Sequence, residues 1–214
     1  MNTNKNNFIK IICLIIISFS LLLFNSCSNK KDITNNPQTA DYTVFPDKME
    51  GIIKDKNIYV TSIGQDAEMI KFQLSTLEKQ SLFDYTIDTF LNASDVKEGS
   101  VVFAFVGCSI KALSESSTSK EKETQRANEF IALKQKNDIT LIVIHAGGNA
   151  RRGSTSDSLI ELMFSNSNFN IFVSSGNFDG FLTKISNDNN VMCYQIENSL
   201  SLKDTVEKLY GVVK

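Results

Sequence analysis

From Asn57 onward, short β-branched or aromatic runs alternate with longer segments whose apolar residues recur at helical spacing. Six runs predict strands: Ile58 to Ile63, Phe83 to Thr89, Ser100 to Val106, Ile139 to His145, Asn170 to Ser174 and Val191 to Ile196. Between them, Ala67 to Lys79 places Met69, Ile70, Leu74 and Leu77 on one helical face. Lys120 to Lys136 likewise groups Ala127, Phe130, Ile131 and Leu133. Ser156 or Asp157 is suited to cap a helix ending near Phe164, Asp179 to start another, and Ser201 or Asp204 to open a last one carrying Val206, Leu209 and Tyr210.

Regular β-α alternation predicts a single α/β domain, three layers deep, with a mostly parallel sheet and helices on both faces. The strand order follows from how completely each run is apolar. Val101 to Val106 and Leu141 to Ile144 are apolar on both faces, as central parallel strands must be, whereas Asp84 to Thr89 alternates and reads as an edge. The expected order is therefore the flavodoxin-like 2-1-3-4-5-6 rather than the Rossmann order.

The region before this body has another character. Lys5 and Lys10 precede an apolar run from Ile11 to Leu23, which leads through Phe24-Asn25-Ser26 into Cys27. The run has the length of a signal peptide rather than of the roughly 20-residue helix that spans a bilayer, and a small residue precedes the cysteine. The segment resembles a bacterial lipoprotein signal, with Asn25 unusual in its place. The resemblance implies that residues 1–26 are removed, that Cys27 is lipidated, and that the protein is tethered to the membrane outside the cytoplasm. A plain cleaved signal or a spanning anchor is the alternative. Residues 28–49 are rich in Asn, Lys, Asp and Thr, contain Pro37 and Pro46 and keep no sustained period. Residues 27–49 thus read as lipidated terminus and flexible tether, with Tyr42, Val44 and Phe45 able to dock near its end, and residues 50–214 as the domain.

Composition removes several functions. Net charge is −2 with acids and bases interspersed, so no polybasic face points to nucleic acid. Cys13 lies in the signal and Cys27 is the anchor, leaving Cys108 and Cys193. In the expected order these stand three strand spacings apart, roughly 14 Å, too far for a disulfide. There is no P-loop, no G-x-G-x-x-G opening a helix after the first strand, no G-x-S-x-G elbow and no C-x-x-C pair. A single histidine without clustered carboxylates gives no zinc site. With no tryptophan, and no Ser/Thr-rich first loop to hold a flavin phosphate, no cofactor is expected.

In such sheets ligands bind beyond the carboxyl ends of the strands where the order reverses. The loops meeting there carry Thr61, Ser62, Gly64, Gln65 and Asp66 after the first strand, and Gly107, Cys108, Ser109 and Lys111 after the third. His145-Ala146-Gly147-Gly148-Asn149-Ala150-Arg151-Arg152-Gly153 follows the fourth, and Asn177 the fifth. Glycines let backbone amides approach a ligand, two guanidiniums supply forked donors, and a helix N-terminus follows; together they suit a carboxylate, sulfate or phosphate. The expected ligand residues are Ser62, Gly64, Gln65, Ser109, Lys111, His145, Gly147, Gly148, Arg151, Arg152, Gly153 and Asn177. Each has a plainer reading: the glycines as turns, the arginines and Lys111 as solvated, His145 as a hydrogen-bonding partner of a neighbouring loop. Cys108 reads as a small buried residue. Ser114 to Ser119 reads as a flexible loop over the site, able to act as a lid.

The elements T-S-x-G-Q at Thr61 to Gln65 and H-x-G-G-x-A-R-R-G-x-x-S-D at His145 to Asp157 resemble those of an uncharacterised family of small bacterial extracytoplasmic α/β domains. So do Ser109 to Leu113 and Gly176 to Gly180 with Thr183 to Ile185. The resemblance covers about residues 57–214 and implies no activity. Cys108 stands where a second glycine is common, and Ser114 to Ser119 replaces a glycine-rich turn. The residues support a lipid-anchored binding or sensing domain for a small anionic ligand. An enzyme on an anionic substrate, with His145 as acid or base, and a partner-docking module of an envelope complex are the alternatives.

Overall fold

The computed structural model describes residues 41–79 and 83–212; the segment read from sequence as a lipoprotein signal, and Cys27, lie outside the described residues. The sheet has six strands, all parallel, in the order β2-β1-β3-β4-β5-β6. They are β1 (Ile58–Ile63), β2 (Tyr85–Ile87), β3 (Ser100–Val106), β4 (Ile139–His145), β5 (Phe169–Val173) and β6 (Met192–Ile196). The helices are α1 (Glu68–Ser75), α2 (Ile110–Glu115), α3 (Lys120–Gln135), α4 (Ser154–Asn166), α5 (Phe181–Asp188) and α6 (Leu202–Tyr210). This is the α/β fold and the strand order that the apolar pattern predicts.

The order has a simple cause. Every residue of β1 and β3 is buried, so both faces of these strands need a covering layer, whereas β2 is nowhere fully buried and sits at the edge. One face is covered by α2, α3, α4 and α5, whose Leu113, Phe130, Ile160, Phe164 and Leu182 share one core with Val102, Ala104 and Val143 of the sheet. On the other face the described residues place α1 and α6, and the segment from Phe45 to Ile53 adds to that layer. Met49 and Ile53 are buried there, and the Phe45 ring packs edge-on against Phe169 and Tyr194. The Gly51 and Ile53 amides donate to the Lys208 and Leu209 carbonyls, and Gln195 N–H donates to the Tyr42 carbonyl at 2.7 Å. The compact unit accordingly begins at Asp41, so residues 41–49, assigned to the tether from sequence, are packed against the body.

The Ser114 to Ser119 stretch differs from the open loop expected. Ser114 and Glu115 end α2, and the Ser119 hydroxyl accepts from Lys122 N–H and caps α3. The Thr118 hydroxyl donates to Glu123. Helix α4 starts at Ser154, ahead of the expected caps, because the Asp157 carboxylate reaches back to accept from Gly153 N–H at 3.0 Å. Cys108 and Cys193 are buried free thiols. Burial pushes the Cys193 thiol up to about 11, and Cys108 is likewise raised, first by burial and then by the charge of Glu123.

Candidate functional site

Parallel pairing fixes where the loops emerge. Ile63 is in register with Val106, Phe105 with Ile144, and His145 with Phe172. The chain therefore leaves β1, β3, β4 and β5 side by side at one end of the sheet, and β1 and β3 flank the reversal of order.

The loop after β1 is tightly specified. Gly64 has φ +85°, and a Cβ placed on it would lie 2.6 Å from the Gly107 carbonyl oxygen. Gln65 keeps φ +64° without being glycine. Ser62, itself buried, uses its hydroxyl to accept from Asp66 N–H at 2.6 Å. Glu123 of α3, completely buried, holds the loop from beneath: it accepts from Gly64 N–H at 2.8 Å, from Gln65 Nε2 at 3.3 Å and from Arg126 at 2.8 Å. Arg126 in turn donates to the carbonyls of Ser62, Thr89 and Leu91 and to the Thr61 hydroxyl. This buried pair fixes the loop. It is not among the residues expected from sequence, although Glu123 lies four positions before Ala127 on the apolar stripe of its helix, where a carboxylate is out of place.

Asp66 is the most unusual group at this end. It is 3% exposed; Oδ1 accepts from Glu68 N–H at 3.0 Å, while Oδ2 has no hydrogen-bond partner among the described residues. Oδ2 lies between two glycines: a Cβ on Gly107 would come within 2.4 Å of it and one on Gly147 within 3.5 Å. Burial raises the carboxyl above its ordinary value of 3.8, against the opposing pull of the Glu68 N–H, His145 and Arg151.

The two neighbouring arginines have opposite fates. Arg152 spends all five of its N–H groups internally, on both oxygens of Asp157, both oxygens of Asp179 and the Gly176 carbonyl. Its plane stacks on Phe181 and Phe178, 4.5 and 5.3 Å from the ring centres. It joins the loops after β4 and β5 and has no donor left for a ligand. Arg151 makes no hydrogen bond or ion pair among the described residues. Its stem lies over Gly147, where a Cβ would come 2.2 Å from Arg151 Cγ.

His145 is also internal. The ring is 0% exposed, with Nδ1 3.0 Å from the Val106 carbonyl and Nε2 3.2 Å from the Gly148 carbonyl, and Gly176 packs against its edge. Both nitrogens are engaged, and neither is open for proton transfer to a ligand. Both contacts are donor contacts only when the ring carries two protons. Gly148, at φ +58°, leaves room for the Ser175 hydroxyl, which a Cβ would approach to 2.4 Å; Gly153, at φ +132°, leads into α4. Asn177 caps α5, its Oδ1 accepting from Leu182 and Thr183 N–H. The Ser109 hydroxyl caps α2 by accepting from Ala112 N–H at 3.1 Å, and Lys111 forms an exposed pair with Glu115 at 3.6 Å.

A cleft of about 370 Å³ opens at this end. Of the expected residues it brings together Gln65, Ser109, Lys111 and Arg151, and it adds Asp66, Glu115, Ile70 and Phe90. Ser62, Gly64, His145, Gly147, Gly148, Arg152, Gly153 and Asn177 are not among its lining residues. A groove of about 380 Å³ between residues 45–50 and α6 is lined by Phe45, Asp47, Glu50 and Asp204. None of its lining residues belongs to a strand end or is an unpartnered buried group among the described residues, so the cleft at the strand ends is the candidate. Among the described residues, no group of His, Cys, Asp and Glu is placed to hold a metal ion, and no helix is long and apolar enough to cross a membrane.

No curated protein and no solved structure matches the chain at a significant level. The family model described as a domain of unknown function, DUF6305, matches residues 55–210, which runs from just before β1 to the last residue of α6. The chain therefore belongs to the DUF6305 family.

Proposed function

We propose that this protein is a lipid-anchored binding domain of the bacterial cell envelope, tethered through Cys27, that holds a small anionic ligand in the cleft beyond β1, β3 and β4. The observation that carries this reading is Arg151: a guanidinium with no hydrogen bond or ion pair among the described residues, at the mouth of a cleft where the strand order reverses. Lys111 adds a second cation to the same cleft. An acid-base role for His145 has no support in a ring enclosed between two carbonyls.

Isothermal titration of the full chain in detergent with sulfate, phosphate and a panel of short carboxylates tests the site. One of these is expected to bind saturably, and Arg151→Ala to weaken it about tenfold to a hundredfold, the loss of a charge-assisted pair. Equal affinity in wild type and Arg151→Ala removes the site. The anchor is tested separately: wild type is expected to incorporate labelled fatty acid and sediment with membranes, and Cys27→Ser to lose the label. A labelled Cys27→Ser protein overturns the lipid assignment.

A further inference from the structure

We propose that the molecule held in the cleft is a zwitterion of the amino-acid class, its carboxylate on Arg151, its amine on Asp66 and its apolar side chain against Ile70 and Phe90. This rests on the binding reading above and names the ligand class for the same site.

The first support is Asp66. A carboxyl oxygen removed from water and given no donor is costly, and such groups persist where something else supplies the hydrogen bond. Oδ2 has no partner among the described residues, and Asp66 lines the cleft. The groups around it are accounted for from each side. From its own turn come the Glu68 N–H, which takes Oδ1, and the Glu68 carboxylate, which repels; His145 and Arg151 act only through space. Gly107 and Gly147 border Oδ2 without side chains, and a methyl group on Gly107 would close to 2.4 Å. Both loops close on the one Asp66 oxygen that lacks a donor with glycine backbone alone, and a ligand ammonium drawn in from the cleft supplies both the N–H and the countercharge.

The second support is the balance of charge. The cleft is lined by two cations, Lys111 and Arg151, and two acids, Asp66 and Glu115. A purely anionic ligand gains at Arg151 but brings negative charge towards Asp66; an amine alone does the reverse. A molecule bearing both charges on one carbon satisfies both ends. The third support is the rim, where Ile70 is 50% and Phe90 43% exposed beside Ala67 and Ala112. A volume of about 370 Å³ falls at the small end of the ~300–1,000 Å³ typical of small-molecule sites.

The test titrates the full chain in detergent with the standard amino acids, then with the two halves of an apolar one: 4-methylpentanoate and 3-methylbutylamine for leucine, 3-phenylpropanoate and phenethylamine for phenylalanine. An apolar amino acid is expected to bind saturably and each of its halves at least tenfold more weakly. Asp66→Asn is expected to abolish that preference for the amino acid over its carboxylate half, while its melting temperature stays at or above that of wild type. If the carboxylate half binds as tightly as the parent, the amine has no partner: the zwitterion inference falls and the anion reading stands. If sulfate, phosphate, carboxylates and amino acids all fail to bind, both readings fall. The comparison between parent and halves needs no variant, so it decides the matter even if Asp66→Asn does not fold.

Discussion

Arg151 and Arg152 are adjacent in the chain and chemically identical, yet Arg152 is spent on the fold while Arg151 lines the cleft with no hydrogen bond or ion pair among the described residues. The difference lies in partners distant in sequence: Asp179 is 27 residues from Arg152, on the loop after β5. Composition marks both arginines as candidates, and only the fold shows which one is consumed. The Arg152 side chain is 4% exposed and bridges Asp157 and Asp179, the latter 41% exposed. Lysine keeps the charge but cannot reproduce a planar fork that donates to two carboxylates and a carbonyl. Arg152→Lys is therefore expected to lower stability by about 1–3 kcal/mol, towards the lower end because Asp179 is partly solvated. Arg151→Ala, which removes no hydrogen bond or ion pair among the described residues, is expected to stay within about 0.5 kcal/mol of wild type. Urea denaturation measures both, and coincident curves for Arg152→Lys and wild type would remove the clasp assigned here. Asp66 and Glu123 make a related point. Both are buried carboxylates, but Glu123 is fully engaged and Asp66 is half engaged. Sequence signals the burial of Glu123 through the helical stripe; nothing in it signals the orphaned oxygen.

At the scale of elements, the strands were the most legible part because burial on two faces leaves a continuous apolar run and burial on one leaves alternation. That distinction yields the order of the sheet, since Val101 to Val106 must be central and the segment around Tyr85 must be peripheral. The edge strand is shorter than its sequence suggests, three residues rather than seven, because only Tyr85–Ile87 pair with β1. Helix α2 was not legible. Its six residues span too few turns to establish a period, and its serines resemble a loop. Ser109 and Ser119 instead act as caps to successive helices, a role in which serine's short hydroxyl replaces a missing carbonyl. A serine-rich stretch between two strands of a parallel sheet thus became helix end, turn and cap. Ser116, on the turn, helps line the cleft.

For the whole molecule, the unequal covering of the sheet decides where the folded body begins. Among the described residues α2, α3, α4 and α5 bury side chains on one face and only α1 and α6 on the other, where residues 45–53 add to the layer. Polarity of the preceding stretch hid this, because the few apolar residues involved, Phe45, Met49 and Ile53, are too sparse to show a period, and their value comes from a gap in the opposite layer. Met49 is 2% exposed and Ile53 0%. Losing a buried side chain of this size typically costs about 2–5 kcal/mol, and two or three such losses rival the ~5–15 kcal/mol that holds an ordinary domain together. Deleting residues 41–53 also exposes the faces of Phe169 and Tyr194 that Phe45 covers and removes the amide donors to the end of α6. A chain beginning at Asp41 is expected to unfold cooperatively at the same temperature as the full chain. One beginning at Lys54, which keeps all six strands, is expected to be largely unfolded or to melt far lower. Circular dichroism melts of the two truncations against the full chain measure this. Equal melting of the Lys54 chain would show that the segment only rests on the body. Loss of cooperativity in the Asp41 chain would show that residues before 41 contribute to the fold.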